Sequence, residues 1–238
     1  RQEKFREHAE SLGVEFTEAQ VLSLGQKDGI WIIGCDEDIT LESKAVIYAT
    51  GCKNRPLGVP GEEKYYGRGL SFCAVCDGAF YKGKRVAVIG GGDTALDDAM
   101  YLSDICEKVY LVHRREFFRG SASTLEKLKQ KENVEIIVNA RVEEITGDKK
   151  IDGIILDNKT KLNISGLFAA VGMIPQTELL KEFGVLDESN YVKASEDTKT
   201  TVNGLFAAGD VRTKQLRQVV TASADGANAV SYTHLRAH

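Results

Sequence analysis

Apolar runs that close on small residues recur along the chain and predict buried strands. Residues 44–51, 167–172 and 205–210 each carry consecutive apolar positions and contain the ending Ala-x-Gly. Continuous apolar character is typical of strands that are covered on both faces. Small residues at the strand ends indicate that the backbone there passes close to a ligand or to a packed helix.

Strands and helices alternate over the middle of the chain. Residues 85–89 predict a strand that leads through glycines into a helix ending near Ser103, and residues 108–113 and 134–138 predict further strands. The other predicted elements are helices over residues 1–12, 123–131 and 219–230, strands over residues 14–16, 21–24, 141–145 and 151–156, and a pairing of residues 29–33 with 38–41. The alternation predicts an α/β protein. Pro56 and Pro60 indicate a connector between domains.

Composition restricts the class of protein. The 238 residues are 42% hydrophobic and 28% charged, which excludes disorder and collagen-like structure. The net charge of −4 is too acidic for general nucleic-acid binding. No apolar run approaches the roughly 20 residues of a membrane span, and the first residues are charged. We therefore expect one or two soluble domains in the cytoplasm.

Two of the five cysteines, Cys73 and Cys76, form a C-x-x-C pair. Such a pair is redox-active or belongs to a zinc site, and structural zinc needs four ligands. No second pair exists, and the histidines at positions 8, 113, 234 and 238 are scattered, so we predict a redox pair and no metal. The other cysteines, expected to be buried and inert, are Cys35, Cys52 and Cys106.

Asp77 follows the second cysteine directly. Thiol–disulfide chemistry consumes and releases protons, so an acid at this position suits a proton donor. A carboxylate in such a place also suits a helix or turn cap. Both interpretations of Asp77 stay open at the level of sequence.

A glycine-rich turn follows the strand at residues 85–89. Gly90, Gly92 and Ala95 occupy the three small positions of G-x-G-x-x-G/A, with Gly91, Asp93 and Thr94 between them. The turn opens a helix and leads into a second strand, which is the context that a dinucleotide-binding motif requires. An ordinary tight turn between strand and helix is the alternative.

The end of the second strand indicates which nucleotide binds. An NAD site places an acid there, whereas this chain has His113, Arg114 and Arg115, with Arg119 one turn further on. Guanidinium groups pair with phosphate, so the 2′-phosphate of NADPH is favoured. Because hydride and disulfide chemistry normally need a mediator, a flavin is expected as well, near Gly209 and Asp210.

Taken together, these motifs resemble those of low-molecular-weight, bacterial-type thioredoxin reductases. The matching stretches are Cys73-Ala-Val-Cys-Asp-Gly78, Gly90-Gly-Gly-Asp-Thr-Ala95, His113-Arg-Arg115 with Arg119, and Gly204-Leu-Phe-Ala-Ala-Gly-Asp210, in the order of the family. The resemblance implies a homodimeric flavoprotein that moves electrons from NADPH through FAD to the C-x-x-C disulfide and then to thioredoxin. It assigns the redox pair to Cys73 and Cys76 and the proton donor to Asp77.

The resemblance also implies two Rossmann-like, three-layer ββα domains, with the NADPH domain inserted in a discontinuous FAD domain. The expected FAD domain covers residues 1–54 and 173–238, the NADPH domain covers 55–172, and the connectors near residues 50–57 and 172–177 act as hinges. Residues expected at NADPH are Gly90, Gly91, Gly92, Asp93, Thr94, His113, Arg114, Arg115 and Arg119. Residues expected at FAD are Thr50, Gly51, Gly209, Asp210, Arg217, Gln218 and Val219.

Two features depart from the family. No glycine motif precedes residue 90, so we expect that the unit gripping the ADP part of FAD is missing and the chain is truncated. Residues 231–238 do not continue the last helix amphipathically and are interpreted as a foreign tail. Two alternatives to thioredoxin reduction stay open, namely reduction of another carrier such as a peroxiredoxin, and NADPH binding without catalysis.

Overall fold

The computed structural model describes residues 2–237. Its helices are α1 (Gln2–Ser11), α2 (Ala74–Asp77), α3 (Asp93–Ser103), α4 (Ala122–Lys129) and α5 (Val219–Ala237). Its strands are β1 (Val21–Lys27), β2 (Ile30–Cys35), β3 (Thr40–Ser43), β4 (Val46–Tyr48), β5 (Cys52–Asn54), β6 (Leu70–Ser71), β7 (Arg85–Gly90), β8 (Lys108–Val112), β9 (Val134–Ile137), β10 (Val142–Thr146), β11 (Gly153–Leu156), β12 (Lys161–Asn163), β13 (Gly166–Ala170), β14 (Met173–Pro175) and β15 (Leu205–Ala207).

The chain divides into two compact units. The terminal unit comprises residues 1–53 and 174–238, and the central unit comprises residues 54–173. The chain passes between them within β5 and β14, which pair as a two-stranded sheet. The predicted boundaries lie beside these two crossings, and the assignment of each unit to one cofactor stays a prediction.

The central unit is built on a parallel sheet in the order β6-β13-β7-β8-β9. Successive residues of β7 point to opposite faces, so Val86 and Val88 pack with Leu96 and Leu102 of α3 in one core. Ala87 and Ile89 face the other core, which contains side chains of the antiparallel sheet β10-β11-β12. The unit therefore has three layers of helix, parallel sheet and antiparallel sheet, and the continuous apolar run of β7 follows from burial on both faces.

In the terminal unit, β15 is central to two smaller cores. It pairs in parallel with β4. Leu205 and Ala207 pack in a core with Trp31 of β2, whereas Phe206 packs with Ala229 of α5. The antiparallel sheet β1-β2-β3 confirms the pairing expected for residues 29–33 and 38–41.

The predicted strand at residues 14–16 is wrong. These residues form no strand, and Phe16 is 46% exposed. The Arg6 guanidinium of α1 lies 4.9 Å from the centre of the Phe16 ring and 2.8 Å from the Glu18 carboxylate. Contacts with the preceding helix therefore replace pairing in a sheet.

Other predicted elements differ in length from those of the structure. The strand expected over residues 44–51 is limited to β4, because the chain turns away through Gly51, whose φ is 68°. The last helix continues past residue 230, and Ser231 donates a hydrogen bond to the Ala227 carbonyl at 3.0 Å. The predicted end of this helix at residue 230 is therefore wrong, whereas the interpretation of residues 231–238 as a foreign tail stays a prediction. The side chain of His234 and the whole of His238, both predicted not to bind metal, lie outside the described residues.

A buried ionic cluster joins α5 to the turn after β15. Asp225 accepts hydrogen bonds from the Gly209 amide at 2.8 Å, from Arg212 at 2.6 and 2.8 Å, and from Lys214 at 2.7 Å. The side chains of Asp225, Arg212 and Lys214 are at most 6% exposed. Burial alone would raise the pKa of Asp225, but the hydrogen bonds from Arg212 and Lys214 outweigh it and lower the pKa to about 2.

Asp225→Asn is expected to lower the free energy of unfolding by about 3 kcal/mol, because it leaves buried Lys214 without a carboxylate and buried Arg212 with only the exposed Glu196. The depressed pKa stabilises the fold above pH 4, and this contribution, about 2 kcal/mol, is lost as the pH falls towards 2. Urea-unfolding midpoints at pH 6 and pH 3 measure both effects. The variant should lose part of the acid sensitivity of the unchanged chain.

Glu126→Gln is a matched control, because Glu126 pairs with Lys129 on an exposed helix surface. The free energy of unfolding of this control should differ from that of the unchanged chain by less than about 0.5 kcal/mol. An Asp225→Asn midpoint as close to the unchanged value as this control would contradict a stabilising role for the cluster.

Candidate functional site

The carboxyl edge of the parallel sheet gathers the predicted motifs of the central unit. The C-x-x-C segment follows β6, the glycine loop at residues 90–92 follows β7, and the basic loop at residues 113–120 follows β8. Because strands of a parallel sheet end at the same edge, all three segments meet there. Ligands of open α/β sheets bind at this edge.

Each glycine of the loop has a different neighbour. A Cβ at Gly90 would collide with the carbonyl oxygen of Ala170 on β13, and a Cβ at Gly91 would collide with the ring of His113. A Cβ at Gly92 would meet nothing within 4 Å. Packing therefore requires glycine at the first two positions, whereas at Gly92 the backbone is left open to an approaching ligand.

The N-terminus of α3 is available for an anion. Gly92 is the N-cap and provides no side-chain hydrogen bond, so amide donors of the first turn are left without a partner from the cap. The basic loop is fixed beside it, since the Arg119 amide donates to the Gly91 carbonyl at 2.7 Å and the Ser121 amide donates to Asp93 at 2.7 Å. Asp93 therefore holds the basic loop against the glycine loop.

His113 is a packed, neutral ring. It is 6% exposed, lies 4.8 Å from Phe118 between ring centres, and donates from Nε2 to the Phe117 carbonyl at 3.2 Å. Burial lowers its pKa, and the nearby arginines lower it further, against the opposing effect of the Phe117 carbonyl. The ring thus shapes the wall behind Gly91 instead of adding positive charge.

A cleft of about 760 Å³ lies along this edge. Of the residues predicted at NADPH, the cleft is lined by Gly90, Gly91, Gly92, Thr94, His113, Arg114 and Arg119. Arg115 belongs to the same loop but does not line the cleft. Arg55 and Arg141 line it and were not among the predicted residues.

Glu62 organises a further wall of the cleft. Its carboxylate is 1% exposed and accepts the amides of Leu57, Gly58 and Val59 at 3.1, 2.8 and 3.0 Å. These bonds fix the segment that carries Arg55. No motif in the sequence pointed to Glu62, although an acid shortly after a Pro-Gly turn is well placed to bind loop amides.

Cys73 and Cys76 form a disulfide at the start of the four-residue helix α2. Cys73 Sγ accepts the Cys76 amide at 3.2 Å. Gly78 lies against α3, where an added Cβ would lie 2.8 Å from the Tyr101 ring. The disulfide is therefore anchored on the helix that the glycine loop begins.

Ser71 connects the disulfide to Asp77. The Ser71 hydroxyl donates to Asp77 Oδ2 at 2.6 Å and accepts the Cys73 amide at 3.2 Å. Asp77 makes no side-chain hydrogen bond to the helical turn that it precedes, so its capping interpretation is not supported. Val75 and Phe80, which flank Asp77 in the sequence, are 70% and 74% exposed.

Several residues predicted at FAD meet in the terminal unit. The Asp210 carbonyl accepts the Cys52 thiol at 2.9 Å and Arg217 Nε at 3.3 Å. Arg217 also lies 4.2 Å from the centre of the Tyr191 ring. Asp210 Oδ1 is buried and has no hydrogen-bond partner among the described residues.

The other residues predicted at FAD flank this point. The Thr50 hydroxyl donates to the Gln176 carbonyl at 2.6 Å, and the Gly51 carbonyl accepts the Gln176 amide at 3.0 Å. Gln218 and Val219 stand at the start of α5, where Val219 is 71% exposed. Whether these residues bind a cofactor stays a prediction.

The three free cysteines differ in burial. Cys106 is buried and donates to the Tyr81 carbonyl at 3.3 Å, and burial raises its pKa to about 11. Burial also raises the pKa of Cys52. Cys35 and Cys52 are only half-buried, which corrects the prediction that all three are buried, since both stand at strand positions near the surface of the terminal unit.

Comparison with known proteins places these features in one family. Residues 2–226 match the family described as pyridine nucleotide-disulphide oxidoreductase. The thioredoxin reductase of Listeria monocytogenes is 42% identical over 193 residues, which cover 79% of this chain and 60% of the relative. That of Helicobacter pylori is 39% identical over 236 residues, covering 94% and 76%. The chain thus spans about 60% to 76% of the length of these relatives.

Solved structures give the same result. The thioredoxin reductase of Streptococcus pyogenes superposes with a TM-score of 0.87 at 37% identity, covering 99% of this chain and 79% of the other. That of Giardia duodenalis gives 0.87 at 37%, covering 99% and 80%. These matches confirm the predicted fold class and the predicted resemblance. The chain belongs to the pyridine nucleotide-disulphide oxidoreductase family, and within it the chain is similar to bacterial-type thioredoxin reductases.

Proposed function

We propose that the chain acts as an NADPH-dependent flavoprotein that reduces the disulfide of thioredoxin through Cys73 and Cys76. The observation that carries the proposal is the shared sheet edge. The disulfide follows β6 and the glycine loop follows β7, and only β13 separates these strands. A nucleotide-binding loop and a redox-active pair are thereby held on one rigid support.

The nicotinamide cofactor is proposed to be NADPH. The cleft is lined by Arg114 and Arg119 and by no Asp or Glu. An NAD site needs an acid for the ribose 2′-hydroxyl, whereas guanidinium groups suit a 2′-phosphate. The open backbone at Gly92 and the amides at the start of α3 are suited to the pyrophosphate.

The flavin is proposed to be FAD, held by the terminal unit. Asp210 Oδ1 is a buried acceptor without a partner, which fits a ribityl hydroxyl as donor. Thr50, Gly51, Arg217, Gln218 and Val219 would lie around it. When bound, FAD would accept one hydride from the nicotinamide and supply its two electrons in a form that a disulfide can accept.

The chemistry at the cysteines balances without a further reactant. Two electrons and two protons convert the Cys73–Cys76 disulfide into two thiols. One thiolate then attacks the carrier disulfide, a mixed disulfide forms, and the second thiolate displaces the reduced carrier while the Cys73–Cys76 bond reforms. Asp77, oriented by Ser71, would hold and return the proton at the departing sulfur.

The carrier is proposed to be thioredoxin, which the names of the relatives indicate. The exposed Val75 and Phe80 beside the disulfide offer apolar surface to a protein partner. Another thioredoxin-like or peroxiredoxin carrier is the alternative. The homodimer and the cytoplasmic location also stay proposals. None of the described helices combines the length and apolar character needed to cross a bilayer.

Cys76→Ser is expected to reduce thioredoxin turnover to the background rate, because no disulfide can form, while NADPH still bleaches bound FAD. Absorbance at the flavin band and a thioredoxin-coupled thiol assay measure the two steps separately. Cys35→Ser, which removes a half-buried free thiol, should leave both steps intact. Normal turnover in Cys76→Ser would exclude the redox-pair assignment.

Asp77→Asn is expected to slow carrier reduction by about 10²-fold, because a positioned acid is lost. Stopped-flow traces across a pH series should report a changed pH dependence for carrier reduction and an unchanged rate of FAD reduction. Asp97→Asn, at an exposed position of α3, is the control. If the variant kept the pH profile of the unchanged chain, Asp77 would have no part in proton transfer.

Colour and carrier preference test the proposal as a whole. A full-length form of the protein should be yellow and lose colour with NADPH, and it should turn over thioredoxin faster than peroxiredoxin. A colourless chain that still binds NADPH would support the binding-only alternative. A preference for peroxiredoxin would support the other carrier.

A further inference from the structure

Four arginines face the cleft of the central unit, and two of them have no role so far. They are Arg55, Arg114, Arg119 and Arg141. No Asp or Glu lines the same cleft. In the described part of the chain, none of the four has a carboxylate within ion-pair distance, whereas Arg6, Arg85 and Arg212 each have at least one. Unpaired cations gathered around one concavity favour an anionic ligand.

Arg141 belongs to the same end of the cleft as the basic loop. The Ala140 amide donates to the His113 carbonyl at 3.1 Å, and the Asn139 amide donates to the Arg115 carbonyl at 3.4 Å. These bonds fasten the start of β10 to the end of β8. Arg141 therefore stands next to the loop that carries Arg114 and Arg119.

The backbone of Arg141 is fixed while its guanidinium is unbound. Its amide donates to Asp157 Oδ1 at 3.1 Å, and its carbonyl accepts the Asp157 amide at 2.9 Å. Within the described residues, its guanidinium has no hydrogen-bond partner. A fixed backbone with a free cation facing a cleft is a geometry that favours ligand binding over packing.

Arg55 stands on the opposite side, at the end of β13. Its amide donates to the Gly172 carbonyl at 3.0 Å, and its Nε lies 3.9 Å from the position of a Cβ on Gly172. Ala170 pairs with Gly90, so the end of β13 adjoins the glycine loop. Arg55 is thereby placed beside the point where the pyrophosphate would lie, away from the basic loop.

We propose that Arg141 binds the 2′-phosphate of NADPH together with the basic loop, and that Arg55 binds the pyrophosphate from the β13 side. The inference rests on the proposed function. It assigns a different phosphate group of the cofactor to each of two arginines that no sequence motif identified. Arg141 would then contribute to the choice of NADPH over NADH. Arg55 would strengthen the binding of both nucleotides.

Calorimetric titration of the whole chain with NADP⁺ and with NAD⁺ tests this division without any turnover. Arg141→Gln should raise the Kd for NADP⁺ by about tenfold, equal to about 1.4 kcal/mol, and the Kd for NAD⁺ by less than about twofold. Arg55→Gln should raise both values by a similar factor. Circular dichroism verifies that each variant folds, as expected for side chains without protein partners.

Two further variants calibrate the result. Arg114→Gln should reproduce the NADP⁺-specific loss, and Arg68→Gln, at an exposed position outside the cleft lining, should change neither Kd. An Arg141→Gln variant that affects both nucleotides equally, or neither, would overturn the 2′-phosphate assignment. An Arg55→Gln variant that leaves NAD⁺ binding unchanged would overturn the pyrophosphate assignment. If the unchanged chain does not prefer NADP⁺, the proposed function itself fails.

Discussion

Parallel pairing of β13, β7 and β8 is the constraint on which the central unit depends. The pairing of Ala170 with Gly90 and of Ile89 with Val112 brings three strand ends to one line. The approach at Gly90 is so close that even a methyl group would strike the Ala170 carbonyl. Because the ends are aligned, loops far apart in sequence become walls of one cleft. The cysteine segment is positioned by the same sheet, because it follows β6, which pairs with β13.

The two units differ in how their charged side chains are paired. In the terminal unit, Asp225 satisfies Arg212 and Lys214 inside the protein, so that cluster acts in folding. In the central unit, the arginines around the cleft have no carboxylate partner within the described residues. The first arrangement is costly to disrupt and the second costs little in stability, because exposed guanidinium groups stay hydrated. Charge without an internal partner is therefore the clearer indication of ligand binding.

Much of this arrangement could be predicted from the sequence, because local patterns carry it. The glycine loop, the basic loop and the cysteine pair are contiguous motifs, and the alternation of apolar runs gave the α/β class. The segment at residues 14–16 was mispredicted because it stays exposed and the Phe16 ring contacts Arg6 of the preceding helix, which no period in the sequence encodes. The half-buried state of Cys35 and Cys52 likewise depends on neighbours that are distant in the chain.

The missed residues have two physical reasons. Arg55 and Arg141 reach the cleft only through backbone pairing between distant segments. Glu62 and Ser71 bond to residues nearby in the sequence, but their bonds depend on the local backbone conformation and form no recognisable motif. A lone arginine or serine in a sequence has no pattern to distinguish it. Only the fold supplies the partner that gives such a residue its role.

The free thiols bear on the fidelity of electron delivery. Burial raises the pKa of Cys106 to about 11, so its thiol stays protonated at pH 7. Cys52 is also disfavoured as a thiolate, and its S–H is engaged by the Asp210 carbonyl. Since only thiolates attack disulfides, these sulfurs are poor competitors for the bond between Cys73 and Cys76. Suppressed ionisation would therefore keep these two thiols out of the proposed exchange reaction.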